Sequence, residues 1–368
     1  MTNSPTGVYT SRGRRRASRA RRWLVVVASI ATLGLIAWPV MSYYEIPPFT
    51  DKGDPVSYDR AGGENGGQAA NSRTLLPTGP KAGFENVNTL SDGSKISVVT
   101  LDGKKSGYKG KVWVWAPKEY TDDPKFAESG FPVVIALPGG PGYDSNYWIG
   151  KFKGGDRGMV SLQESISTWY HEGASKPFLL AMPVLNPGPD DKGIYWDGSD
   201  IPGQPKMGTW LTEDVPDLMK ANFRTLKSRD GWGFMGSSTG GFASLKSVLK
   251  HPDKFKAAVA NGPDILPDSP LWKGHEKEMR ENNPEVLAKE LTAAKGPDVY
   301  LAFQVGTKEN AATMAGVKKF INAYGKGPVH TKLWEIPGGR HNGATYLSNM
   351  REPLKWISDR MEGPTPSP

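Results

Sequence analysis

Residues 231–241 read Gly-Trp-Gly-Phe-Met-Gly-Ser-Ser-Thr-Gly-Gly. Within them, Gly236-Ser237-Ser238-Thr239-Gly240 is a Gly-x-Ser-x-Gly pattern. It lies between an apolar stretch and a helix-like segment starting at Phe242, the strand–turn–helix setting in which such a serine is a nucleophile. Only Ser238 fits the frame, because Met235 stands where Ser237 would need a glycine. Gly236 and Gly240 lack Cβ atoms, which lets strand and helix pass close to each other. A serine hydroxyl attacks well only when a base takes its proton and an acid orients the base. In a parallel sheet these partners belong in loops at the carboxyl ends of later strands, in the order Ser, acid, His.

There are five histidines. His171 and His251 close helix-like segments, His275 lies in a charged run and His330 falls inside a predicted strand. His341 sits in Pro337-Gly338-Gly339-Arg340-His341-Asn342-Gly343, after the last predicted strand and before the last helix, and is the candidate base. Glu309 follows the strand-like run Val299–Val305 and is the candidate acid. Asp264, in Asn261-Gly262-Pro263-Asp264, is the alternative. An oxyanion hole needs two backbone N–H groups. Thr239, next after the nucleophile, supplies one. The loop Leu137-Pro138-Gly139-Gly140-Pro141-Gly142 supplies the other, and its prolines narrow the choice to Gly139 or the preferred Gly140. Trp148, Trp196 and Trp210 are expected in loops on the same face, as candidate substrate-lining residues.

The frame that must position these groups is an alternation of strands and helices over residues 86–362. Strands are expected at Ile96–Leu101, Lys111–Ala116, Pro132–Leu137, Pro177–Met182, Gly231–Met235, Ala257–Ala260, Val299–Val305 and Val329–Glu335. The first two make a hairpin. The rest are apolar runs of the kind buried on both faces of a sheet. Helices are expected near 156–170, 211–228, 240–250, 311–324 and 344–361, with Asp156 and Thr212 as N-caps of the first two. The pattern predicts an α/β domain with an eight-stranded, mostly parallel sheet.

The net charge of +8 is local. Residues 1–22 hold seven arginines and no acid; take those from the 46 basic residues and 39 remain against 38 acidic ones. The body is near neutral, so nucleic acid is not implied. Residues 23–44 carry no charge and are long enough to cross a bilayer as a helix. The arginines before them predict a cytoplasmic N-terminus and an exported body. The alternative is secretion after signal cleavage, with Val40-Met41-Ser42 as a weak site. Residues 45–85 read as a flexible linker and 363–368 as a polar tail. Without cysteine there is neither disulfide nor thiolate metal site, and no metal or cofactor is implied.

The body resembles the esterase D and mycobacterial mycolyltransferase (antigen 85-like) family of α/β-hydrolases. The resemblance runs through Val112-Trp113-Val114-Trp115-Ala116-Pro117, Phe131-Pro132-Val133-Val134, the Gly139-Gly140 loop, Thr209–Pro216, Gly236–Gly241 and Pro337–Asn342. It implies the α/β-hydrolase fold, a serine acyl-enzyme mechanism with an Asp or Glu acid, and no cofactor. This sequence departs from the pattern at Pro138, where other hydrolases carry His, at Arg340 and at Gly343. Its oxyanion loop also lacks the Asp and Arg residues that the mycolyltransferases carry near their sugar site. The expected function is therefore that of an exported serine esterase acting on acyl esters. Alternatives are acyl transfer to envelope sugars, with a glycolipid substrate, and a non-catalytic envelope protein on the same scaffold.

Overall fold

The computed structural model describes residues 53–58, 72–140, 144–153, 158–188 and 194–366. The arm 1–22, the apolar span 23–44 and Asp156 lie outside them. Among the described residues no helix is long and apolar enough to cross a membrane.

Ten strands form the main sheet: β1 (Pro55–Val56), β2 (Phe84–Thr89), β3 (Lys95–Asp102), β4 (Lys109–Trp115), β5 (Val133–Leu137), β6 (Leu179–Pro183), β7 (Trp232–Ser237), β8 (Ala257–Asn261), β9 (Val299–Gly306) and β10 (Val329–Ile336). Their spatial order is β1-β2-β3-β4-β6-β5-β7-β8-β9-β10. From β6 to β10 every neighbour is parallel, while β1 to β4 form antiparallel pairs and β4 joins β6 antiparallel. All eight expected strands are present. The sheet has ten rather than eight because β1 and β2 extend it from the stretch that reads as linker and its border. There Val56 and Tyr58 pack on the core, and Tyr58 hydrogen-bonds Ser97 on β3 at 2.7 Å. Thr74–Leu75 pairs with Thr225–Leu226. Parts of residues 45–85 are therefore built into the domain.

The strands bury both faces, as their unbroken apolar runs require. Alternation sends Val133, Ile135 and Leu137 of β5 into one core and Val134 and Ala136 into the other. The first core is covered by α2 (Val215–Asn222), α3 (Thr239–Lys250), α5 (Pro284–Ala293) and α6 (Ala311–Tyr324). The second is covered by α1 (Leu162–His171) and α8 (Arg351–Ser358). Short helices α4 (Glu276–Glu281) and α7 (Gly343–Ser348) lie between these, besides single helical turns at Lys118–Thr121 and Met207–Thr209. Helix α1 starts later than expected: Ser161 caps it, its hydroxyl accepting from Glu164 N–H. Thr212 is not a cap. It lies in a wide π-turn, Trp210–Asp214, and its hydroxyl donates to Gly208 O instead. The last expected helix is two, α7 and α8, broken at Asn349-Met350.

Candidate active site

Strand β7 runs into α3 through one residue, Ser238, at φ +56 and ψ −123. A residue with a Cβ pays for a positive φ, and here the turn imposes it. The flanking glycines allow the turn to close. A Cβ on Gly236 would stand 2.3 Å from Gly240 O, and one on Gly240 would stand 2.2 Å from Pro138 O. Ser238 N–H donates to Asn261 O at 2.9 Å and Ser238 O accepts from Phe242 N–H, so the elbow is pinned on both sides. Beneath it, Asn261 Nδ2 donates to Gly236 O and its Oδ1 accepts from Gln304 Nε2. This buried polar ladder ties β7, β8 and β9 together at their carboxyl ends.

Glu309 lies three residues beyond the end of β9. Its backbone N–H donates to Gly306 O, and its Oε1 accepts from Gly306 N–H. Its Oε2 accepts from His341 Nδ1 at 2.7 Å and from Tyr346 Oη at 2.9 Å. The carboxylate only accepts, so Nδ1 carries the imidazole proton and Nε2 is left with a lone pair. The Glu309 side chain is 1% exposed and that of His341 46%. Burial pushes the Glu309 carboxyl up, but hydrogen bonds from His341, Gly306 and Tyr346 outweigh it and hold the acid below its ordinary range. The bond to Glu309 raises the imidazole's pKa above its usual value despite burial, with the Glu309 and Asp264 charges adding to the rise. Asp264 thus lies near the pair and acts on His341 through its charge; the carboxylate that accepts the Nδ1–H hydrogen bond is that of Glu309.

Ser238 and the pair adjoin the same short segment. Asn261 O takes the Ser238 N–H, and the next residue, Gly262 at φ +50, passes so close to the pair that a Cβ there would stand 2.6 Å from Glu309 Oε2 and 2.8 Å from His341 Nδ1. The Ser238 elbow and the Glu309–His341 pair therefore border the same turn, Asn261-Gly262.

On the other side of the elbow runs the Gly139-Gly140 loop, with Gly140 at φ +83. Gly139 N–H is already used, donating to Tyr147 Oη at 2.9 Å. Of the two candidate donors in that loop, Gly140 is the one left for a substrate. Thr239 heads α3, where the first N–H groups have no partner within the helix.

Two of the three tryptophans are not at the site. Trp148 and Trp210 are fully buried, and their indole N–H groups donate to Leu137 O at 2.8 Å and Val184 O at 3.0 Å. Each indole satisfies a carbonyl at or just past a strand end while its ring fills the core, so their position near the strand ends reflects packing. Trp196 is half-buried; its indole N–H donates to Gln204 Oε1 at 3.1 Å and its backbone N–H to Asn186 Oδ1 at 3.2 Å. Three residues that the motif does not point to also stand at the site: Tyr147, Asn186 and Tyr346. Asn186 carries the one available signal, a polar side chain just past the carboxyl end of a central strand.

A mostly parallel sheet covered by helices on both sides, with a strained serine at a strand–helix elbow and a Glu–His pair beyond later strands, defines an α/β-hydrolase fold. Residues 105–341 match the family described as "Putative esterase". The chain belongs to that family. It is 23% identical over 277 residues to an uncharacterized protein of Corynebacterium glutamicum, covering 71% of this chain and 60% of that protein. The match thus spans less than two thirds of that relative's length. Among solved structures it is similar to a ferulic acid esterase, with a TM-score of 0.57, 17% identity and coverage of 73% of this chain and 98% of that one. An S-formylglutathione hydrolase from Agrobacterium tumefaciens gives 0.55 at 19% identity, covering 74% and 98%. MPT51 of Mycobacterium tuberculosis gives 0.51 at 15% identity, covering 77% and 100%. At these identities the likeness is one of fold.

Proposed function

We propose that the domain is a serine esterase working through an acyl-enzyme, with Ser238 as nucleophile, His341 as general base and Glu309 as its orienting acid. One observation carries the reading. The strained Ser238 adjoins, across Asn261-Gly262, an imidazole whose Nδ1 is already held by a buried carboxylate. His341 Nε2 takes the hydroxyl proton as Ser238 Oγ attacks the ester carbonyl. The N–H groups of Gly140 and Thr239 hold the oxyanion. Collapse expels the alcohol, which leaves with the proton from His341, and water repeats the sequence on the acyl-enzyme to release the acid. An alcohol in place of that water would make the same site an acyltransferase, as would be needed for a glycolipid or envelope-sugar substrate.

On the sequence alone, the same proposal places the domain outside the cytoplasmic membrane. The arginines of 1–22 would stay inside, and 23–44 would serve as anchor or, if cleaved, as export signal. Protease added to intact cells should then digest the domain, and a domain protected until lysis would refute the placement. For the chemistry, a fluorophosphonate probe should label the purified protein, and Ser238→Ala should abolish both labelling and ester hydrolysis. Undiminished labelling of Ser238→Ala would refute the assignment.

A further inference from the structure

The two residues flanking Ser238 are both hydroxyl-bearing, and each is tied by one side chain to the loop that carries Gly140. On one side, Tyr147 Oη hydrogen-bonds Ser237 Oγ while accepting the Gly139 N–H at 2.9 Å. On the other, Asn186 Nδ2 donates to Thr239 Oγ1 at 3.0 Å and to Gly140 O at 2.7 Å. The orientation of this amide is dictated by its surroundings. Gly140 O can only accept and the Trp196 backbone N–H, which donates to Asn186 Oδ1, can only donate. Ser237, Thr239 and Asn186 are all buried, so these bonds do not compete with bulk water.

The geometry has a specific consequence for one peptide. Gly140 N–H belongs to the unit joining Gly139 to Gly140. Tyr147 fixes the unit before it through Gly139 N–H, and Asn186 fixes the unit after it through Gly140 O. Both glycines have backbone freedom that other residues lack. Without the two ties, that central unit could rotate and turn its N–H away. The same two side chains hold Ser237 and Thr239, so the loop that carries the Gly140 donor is tied directly to the residues on either side of the nucleophile.

We propose that Tyr147 and Asn186 are positioning residues that brace the oxyanion loop against the nucleophile elbow, setting the distance from Ser238 to the Gly140 N–H. This rests on the assignment of Ser238 and Gly140 made above. The bracing matters when the carbonyl oxygen acquires charge, so its loss falls on kcat and on transition-state analogues, with little effect on ground-state binding.

The test uses the purified enzyme and a p-nitrophenyl ester. Tyr147→Phe and Asn186→Ala should each lower kcat by about tenfold to a hundredfold, somewhat less than removal of an oxyanion donor itself, with KM within about twofold. Binding of a trifluoromethyl ketone, which forms an oxyanion with the nucleophile, should weaken in proportion to kcat. Thr239→Val should reproduce the Asn186 loss, and Thr239→Ser should restore most of it. These milder changes keep the proposal testable if Asn186→Ala does not fold. Folded variants with wild-type kcat, or with a loss in KM while the ketone binds as before, would overturn the bracing. Ser238→Ala run alongside separates the two layers. If it stays active, the nucleophile assignment fails; if it is dead while the bracing variants are unaffected, only the present inference fails.

Discussion

Gly262 is the most informative single position to perturb. It sits at φ +50, and a Cβ there would stand 2.1 Å from Tyr346 Oη, 2.6 Å from Glu309 Oε2 and 2.8 Å from His341 Nδ1. To reach even a 3.0 Å separation, the phenol oxygen must retreat by about 0.9 Å and the carboxylate oxygen by about 0.4 Å. Neither can move freely. Tyr346 is buried on α7, and the Glu309 carboxylate is held at its other oxygen by Gly306 N–H. Gly262→Ala should therefore cost about 1–2 kcal/mol through its left-handed backbone alone. It should also displace the acid–base pair by a good fraction of an ångström, and misplacements of about 1 Å can cost a hundredfold in rate. The expectation is a folded enzyme with kcat down by tens of fold to about a hundredfold. Gly173→Ala is the control: it has φ +71 with nothing within 4 Å, so it should lose similar stability and keep its kcat. Ester hydrolysis and thermal melting on both variants decide the matter. A folded Gly262→Ala enzyme within about threefold of wild-type kcat would show that catalysis does not depend on the Glu309–His341 geometry.

Three further outcomes are expected, one at the same pair and two elsewhere in the domain. Because the Glu309 bond raises the His341 pKa above 6.5 and the base must be neutral to act, kcat/KM should rise with pH along a limb lying above that value. Glu309→Gln should move the limb to lower pH while lowering the plateau. The raised imidazole also contributes stability below about pH 6.5 that is lost as pH climbs through its folded-state value; half-exposure keeps this contribution small. Burial lowers the Lys246 amine to about 7, so between there and 10.5 the unfolded chain binds the extra proton and stability rises with pH. Melting curves from pH 7 to 9 should show that rise reduced in Lys246→Met. Trp210→Phe removes an indole bond to Val184 O and core volume, and should cost about 1–3 kcal/mol in denaturant titrations while leaving KM values for a panel of esters unchanged.

The central strands were legible because a buried parallel strand leaves a continuous apolar run, as in Val133–Leu137, that little else imitates. The Ser, Glu and His candidates were legible because their order along the chain follows the order of strands. What escaped had weaker signatures. Phe84–Thr89 is an antiparallel strand near the sheet edge with three exposed residues at its end, so its apolar content is low. Pro55–Val56 is two residues long, recruited by its neighbour rather than by its own propensity. Trp148 and Trp210 were misplaced because sequence position near a strand end cannot tell an indole facing a substrate from one capping a backbone carbonyl. Tyr147, Asn186 and Tyr346 reach the site through hydrogen bonds that span 90, 53 and 37 residues of chain respectively, and such pairings have no local pattern.

The unequal exposure within the Glu309–His341 pair bears on what an acyl-enzyme formed by the proposed mechanism would meet next. The carboxylate is sealed, but the imidazole is open along nearly half its surface, so solvent reaches the group that the proposal makes the activator of the second nucleophile. In such an arrangement water is the default partner, present at its bulk concentration without any binding site. An alcohol can compete only if it is held against His341 in an attacking pose, where oriented groups reach effective concentrations on the order of 10⁵ M or more. The partition between hydrolysis and transfer then becomes a question of acceptor occupancy. It should vary with the concentration and shape of added alcohols, and not with the acyl group being transferred.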